Sequence, residues 1–161
     1  MSDIKIFYRE NARIKTSRNI DILKKVSLQD LVWIDLLDAD EEIETQLEDF
    51  LKIYIQEDEE IEEIEMSSRY METEDSLVAN SHFLLDNYET EPVSFILKNK
   101  ILVSTRNTEL KSFQETVRKM TANPRNYMTG YHVLVALLET RVELDADMIE
   151  DHTNEITKMS N

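Results

Sequence analysis

The chain has no cysteine among its 161 residues, a single glycine and only two prolines. The missing cysteines exclude disulfides and every thiolate metal site, and they are compatible with a reducing compartment. The shortage of glycine excludes more. Phosphate-cradling loops, dinucleotide-binding turns and the hydrolase nucleophile elbow each need several glycines at fixed spacing, and Gly130 stands alone. Asp38-Ala39-Asp40 does not open a calcium loop either, because the turn position that demands glycine is Ile43. No apolar run approaches the ~18 residues that span a bilayer, and the polar N-terminus lacks the apolar stretch of a signal peptide. His82, His132 and His152 are scattered, and no nucleophile–base constellation accompanies them. An enzyme reading is therefore set aside, with no catalytic residue and no organic cofactor expected.

Positive charge is also scarce. Lysine and arginine number 18 against 34 acids, for a net charge of −16. Such a surface repels phosphates, so nucleic acid is not an expected partner. The imbalance is local as well as global. Residues 1–27 hold seven Lys/Arg and three acids, whereas residues 40–65 hold thirteen acids and one lysine. A charge run is most often a solvated face that keeps a protein soluble. This one is dense enough to raise cation binding as a second explanation.

What is present is a 41% hydrophobic chain of single-domain length. Its clearest signal is "EPVSFILKNKILVSTRNTELKSF" at residues 91–113. Val93–Leu97 and Ile101–Thr105 are β-branched or apolar runs of strand length. Lys98-Asn99-Lys100 between them is a polar break, and asparagine tolerates the left-handed backbone of a tight turn. Both runs are nearly continuous rather than alternating, which predicts a central hairpin covered on both faces. Further strands are expected at Ile4–Tyr8, Ala12–Thr16, Val32–Leu36, Arg69–Glu72 and Leu77–Leu85, with Trp33 and His82 read as packed residues.

Helices separate these strands. Asp38, with Glu41 three residues on, reads as the cap of a helix running to about Lys52, with Ile43, Leu47, Phe50 and Leu51 on its apolar face. A second helix is expected from Gln56 to Met66, where the nine residues from Glu57 to Glu65 include seven acids. A third begins near Glu109, presents Leu110, Phe113, Val117 and Met120, and stops before Pro124. A long helical segment then runs from Gly130 to the end with no glycine or proline to close it. The alternation predicts an α/β fold, a mixed β-sheet with helices on both faces followed by a long C-terminal helix. The unfinished helix reads as part of something longer.

Carboxylates three or four apart on a helix repel, each pair costing a few tenths of a kcal/mol. Glu57/Glu60, Asp58/Glu62, Glu59/Glu62, Glu59/Glu63 and Glu60/Glu63 stand in that relation at once. A divalent cation relieves the strain, and Mg2+ needs only one or two carboxylates because it keeps several waters. Without cysteine or paired histidine, softer metals are poorer tenants.

The hairpin stretch, together with "VWIDLLDADEEIE" at 32–44 and "EIEMSSRYMETEDSL" at 63–77, resembles the cytoplasmic domain of the CorA family of magnesium and cobalt transport proteins. The likeness covers roughly Asp30 to Ser160 in several ordered blocks. It implies a CorA soluble-domain fold over residues 1–129 and the start of a stalk-type helix over 130–161, truncated before the transmembrane region. It also implies regulatory divalent ions, weakly held Mg2+ or Co2+, on acids shared between subunits. The family's common Glu-Asp pair falls on Glu59 and Glu60, with Glu in place of Asp, and a further acid falls on Glu139. As partners it implies a homopentamer and, through helices absent from this chain, the membrane at whose cytoplasmic face the domain sits. A free-standing acidic interaction module and the equivalent domain of a zinc-transporting relative remain the alternatives.

Overall fold

The computed structural model describes residues 3–56, 69–72 and 76–160. Among these, β1 (Asp3–Glu10), β2 (Arg13–Ser17), β3 (Leu31–Leu37), β4 (Arg69–Glu72), β5 (Ser76–Leu84), β6 (Thr90–Lys98) and β7 (Ile101–Arg106) form one sheet. Its order is β2-β1-β3-β7-β6-β5-β4. The β3–β7 pair is parallel and the other described pairs are antiparallel. The β6–β7 hairpin lies in the middle, and every residue of β7 is buried, as the continuous apolar run predicts. Its turn is two residues long. Asn99 and Lys100 have φ of 51° and 67°, and Lys98 pairs with Ile101. Two successive left-handed residues give the turn whose twist matches the flanking strands.

Helices cover both faces. α1 (Glu41–Leu51) packs Leu47 and Leu51 on Ile4, Ile6, Ile34, Leu36, Ile96 and Val103. α2 (Lys111–Ala122) and α3 (Gly130–Ser160) cover the opposite face, where Phe113, Met120, Val133 and Leu137 meet Phe7, Trp33, Phe83 and Phe95. Alternation along β3 divides its side chains between the two layers, with Trp33 and Asp35 toward α2 and α3, and Ile34 and Leu36 toward α1. Trp33 is fully buried and stacks on Phe7 at 4.6 Å between ring centres. α3 spans 31 residues, or about 46 Å. Gly130 starts it for a steric reason. Its N–H donates to Lys100 O at 2.7 Å, and a Cβ there would lie 2.3 Å from the backbone nitrogen of Leu102. The chain's one glycine therefore seats the long helix directly on the central hairpin.

Two local expectations are corrected. Asp40 rather than Asp38 caps α1, its carboxylate accepting the Ile43 N–H at 2.9 Å. Asp38 follows directly on β3, and its N–H donates to Arg106 O at 2.8 Å with φ at 49°. A residue bonded to β7 in that way is not free to lead the helix. Phe50 also leaves the apolar face of α1, being 39% exposed beside buried Leu51. Of the helix expected over Gln56–Met66 only Gln56 lies within the described residues, and it is not helical. The turn expected at residues 73–75 lies outside them.

Candidate functional site

Glu59 and Glu60 lie outside the described residues, so the acids expected to bind metal are placed only in part. Glu139 is on α3, exposed, one turn before Glu143. The Glu143 carboxylate lies 3.5 Å from Lys119 on α2. Among the described residues no group of three or more His, Asp or Glu side chains is arranged to hold a metal ion.

A buried ionic network occupies the seam between the parallel strands. Asp35 and Arg106 pair at 2.7 Å with each side chain 3% exposed. Ser104 Oγ donates to Asp35 Oδ1 at 2.8 Å, and Trp33 Nε1 donates to Ser104 Oγ at 2.8 Å. Arg106 also donates to Thr108 O at 2.8 Å, and its guanidinium lies over the Phe113 ring at 4.3 Å. Each Asp35 oxygen accepts an arginine N–H. A carboxylate so engaged is closed to metal and to proton transfer. The network clamps β3 to β7 and fixes the start of α2.

A cleft of about 450 Å³ opens where α3 leaves the sheet, between the Leu84–Tyr88 loop and the first turn of α2. Asp86, Glu109, Asp145, Asp147 and Asp151 line it with Lys111 and Arg141. Both cations are already held. Lys111 pairs with Asp86 at 3.0 Å. Arg141 donates to Ser81 Oγ and to His82 O, and its charge sits 5.3 Å from the centre of the Phe83 ring. Burial raises the Asp145 pKa above the ordinary carboxylate range, while the nearby Arg141 charge pulls it back. The cleft thus has the potential to attract cations and repel anions. His82 is half-buried in β5 opposite Pro92, which agrees with a packed histidine. His132 is on the surface, with its Nδ1 2.7 Å from Thr129 Oγ1.

Sequence reasoning missed the Asp35–Arg106 clamp. Its signal was present, since Asp35 is the one acid in the apolar run Leu31–Leu37 and an acid there needs a buried partner. The cleft left no such trace, because three distant segments make it.

A family profile described as "CorA-like Mg2+ transporter protein" matches residues 28–161. The magnesium transport protein CorA of Wolinella succinogenes is 35% identical over 133 residues, covering 78% of this chain and 41% of that protein. The protein of the same name from Escherichia coli strain K12 is 28% identical over 160 residues, covering 96% of this chain and 49% of its own length. The chain thus spans half or less of the curated relatives it matches. Among solved structures, full-length CmaX superposes with a TM-score of 0.73 at 11% identity, covering 97% of this chain and 50% of the other. The CorA magnesium transporter from Methanocaldococcus jannaschii gives 0.68 at 16%, covering 99% and 50%. The ZntB cytoplasmic domain from Vibrio parahaemolyticus gives 0.63 at 14%, covering 95% and 64%. At these identities the structural likeness speaks for the fold.

Proposed function

This chain belongs to the CorA-like Mg2+ transporter protein family, and from that premise we propose that it is the divalent-metal-sensing, regulatory part of a Mg2+ transport protein. The α/β body over residues 1–129 senses the ion, and the helix over 130–161 is the first part of a stalk that passes the signal toward a membrane-embedded pore. Among the described residues no helix is long and apolar enough to cross a membrane. The whole protein is proposed to be a homopentamer, with this part at the cytoplasmic face of the membrane and Mg2+ or Co2+ as its regulatory ion.

One observation carries the reading: seven acids within the nine residues Glu57–Glu65 of a chain from this family. Repulsion among them is relieved only when cations gather. Glu59 and Glu60 are the proposed ligands, with Glu139 as a contributor from α3. The ion is weakly held, with most of its coordination supplied by water.

The test measures thermal unfolding in Mg2+ against Na+ at matched ionic strength, because screening of a −16 chain stabilises it in any salt. A site half-filled at the working concentration adds only about 0.4 kcal/mol, so a titration well past saturation is needed. Glu59→Gln with Glu60→Gln keeps size while removing charge. The variant is expected to be more stable than the parent without metal and to lose the Mg2+-specific increment. If it answers Mg2+ over Na+ as the parent does, these two residues are a solvated face. Repeating the titration with Co2+ ranks the ions.

A further inference from the structure

The sheet face beneath α1 carries a row of polar side chains beside its apolar cluster. Strand pairing sets Leu36, Thr105, Ser94 and Asn80 side by side on β3, β7, β6 and β5. Alternation sends these side chains toward α1, since Ser104 bonds Trp33 on the opposite face, where Val93, Phe95 and Ala79 also pack. The next row, Ile34, Val103, Ile96 and Val78, is apolar throughout and packs with Leu47 and Leu51. Thr105, Ser94 and Asn80 are 8%, 1% and 4% exposed. Thr105 Oγ1, Ser94 Oγ and Asn80 Oδ1 are all buried with no hydrogen-bond partner in the protein. The Asn80 amide is assigned by its other end, where Nδ2 donates to Gln56 Oε1 at 2.7 Å. Oδ1 is therefore left as a pure acceptor. Folded proteins rarely leave one such group unpaired, and here three stand on neighbouring strands.

The surroundings say what satisfies them. The buried charged residues described are Asp35, Glu91 and Arg106. Asp35 and Arg106 pair beside Ser104 on the other face, and Glu91 shares that face with Val93 by alternation. A cation on the row would lack a buried counter-charge among the described residues, and an anion would meet the Asn80 acceptor. A small neutral molecule that both donates and accepts fits, and opposite side chains on paired strands are spaced for one. Their Cβ atoms lie about 5 Å apart, and a water bonded at about 2.8 Å on each side spans that gap. We infer that the row is an internal hydration site, with one water joining Thr105 to Ser94 and a second joining Ser94 to Asn80. The pair ties Gln56, through Asn80, to the central hairpin. This inference does not depend on metal sensing at Glu59 and Glu60.

A high-resolution crystal structure of the whole chain, with urea unfolding of Ser94→Ala, Thr105→Val and the double variant, tests it. Two ordered peaks are expected, each about 2.8 Å from two of the three oxygens. Each single variant is expected to raise the unfolding equilibrium constant about five-fold, because the water loses a partner and the remaining oxygens are stranded. The double variant is expected to lose less than the product of the two, since both hydroxyls hold the same water. Absence of the peaks overturns the inference. So does an unfolding constant unchanged or lowered in both single variants, since hydroxyls that bond nothing are replaced by apolar groups without loss. Stability that rises in K+ over Na+ at matched ionic strength, and stops doing so in Ser94→Ala, would assign the row to a monovalent cation instead.

Discussion

Seven residues other than glycine hold a left-handed backbone among those described, namely Asn11, Ala12, Asp38, Lys52, Tyr88, Asn99 and Lys100, while Gly130 does not. Steric closeness to the hairpin, rather than backbone freedom, is what Gly130 provides. The same local-versus-global tension appears at Asp35. An acid in the middle of a buried strand opposes the hydrophobic pattern, and it persists because Arg106 and Ser104 complete its hydrogen bonds. Breaking such a pair is far costlier than never having built it, since a lone charge stays buried. Asp35→Ala is therefore expected to cost about 3–5 kcal/mol in urea unfolding, by stranding Arg106. Asp35→Leu combined with Arg106→Met is expected to recover most of that loss, because the two charges leave together. A loss below about 1 kcal/mol for Asp35→Ala would mean that water reaches the pair and that the clamp contributes little.

At the scale of elements, the strands were the most legible part of the sequence. Continuous β-branched runs give β6 and β7 their place at the centre, and the polar break between them marks the turn. The sequence rule foresaw a left-handed Asn99 but not Lys100, whose φ of 67° is imposed by the two-residue loop. Replacing Lys100 by Gly should thus stabilise the chain by up to about 1 kcal/mol, since the left-handed strain removed exceeds the added freedom of the unfolded chain. Thermal unfolding reads this directly, and a lower midpoint would show that the lysine side chain contributes packing that outweighs its strain. Helix starts were harder to read. Capping-box spacing points to Asp38, with Glu41 three residues on, yet Asp40 accepts the Ile43 N–H while the Asp38 N–H is taken by the end of β7. That bond joins residues far apart in sequence, which no local pattern reports. The site was legible as composition more than as geometry. A run of acids is visible at once, but the Asp145 cleft depends on where α3 passes the Leu84–Tyr88 loop, and Glu59 and Glu60 lie outside the described residues.

For the whole molecule, charge sets the behaviour in solution. A net −16 on 161 residues disfavours close approach of two copies at low salt. The excess of Lys and Arg in residues 1–27 is partly spent internally, with Arg18 on Asp3 at 3.2 Å and Lys24 on Asp21 at 3.7 Å. We therefore expect this chain to be monomeric by light scattering in divalent-free buffer, with a mass near 19.0 kDa. Raising Na+ shortens the reach of the repulsion to about 8 Å at physiological ionic strength and should permit weak, non-saturating association. Mg2+ at the same ionic strength should do more, because an ion bound between carboxylates of two copies replaces repulsion by attraction. The excess over Na+ should vanish in the Glu59→Gln, Glu60→Gln variant if those residues form the bridge. A stable pentamer in divalent-free buffer would reverse this picture. The contacts that assemble the protein would then be strong enough, within this chain alone, to overcome its charge, and metal would be a passenger on an interface already formed.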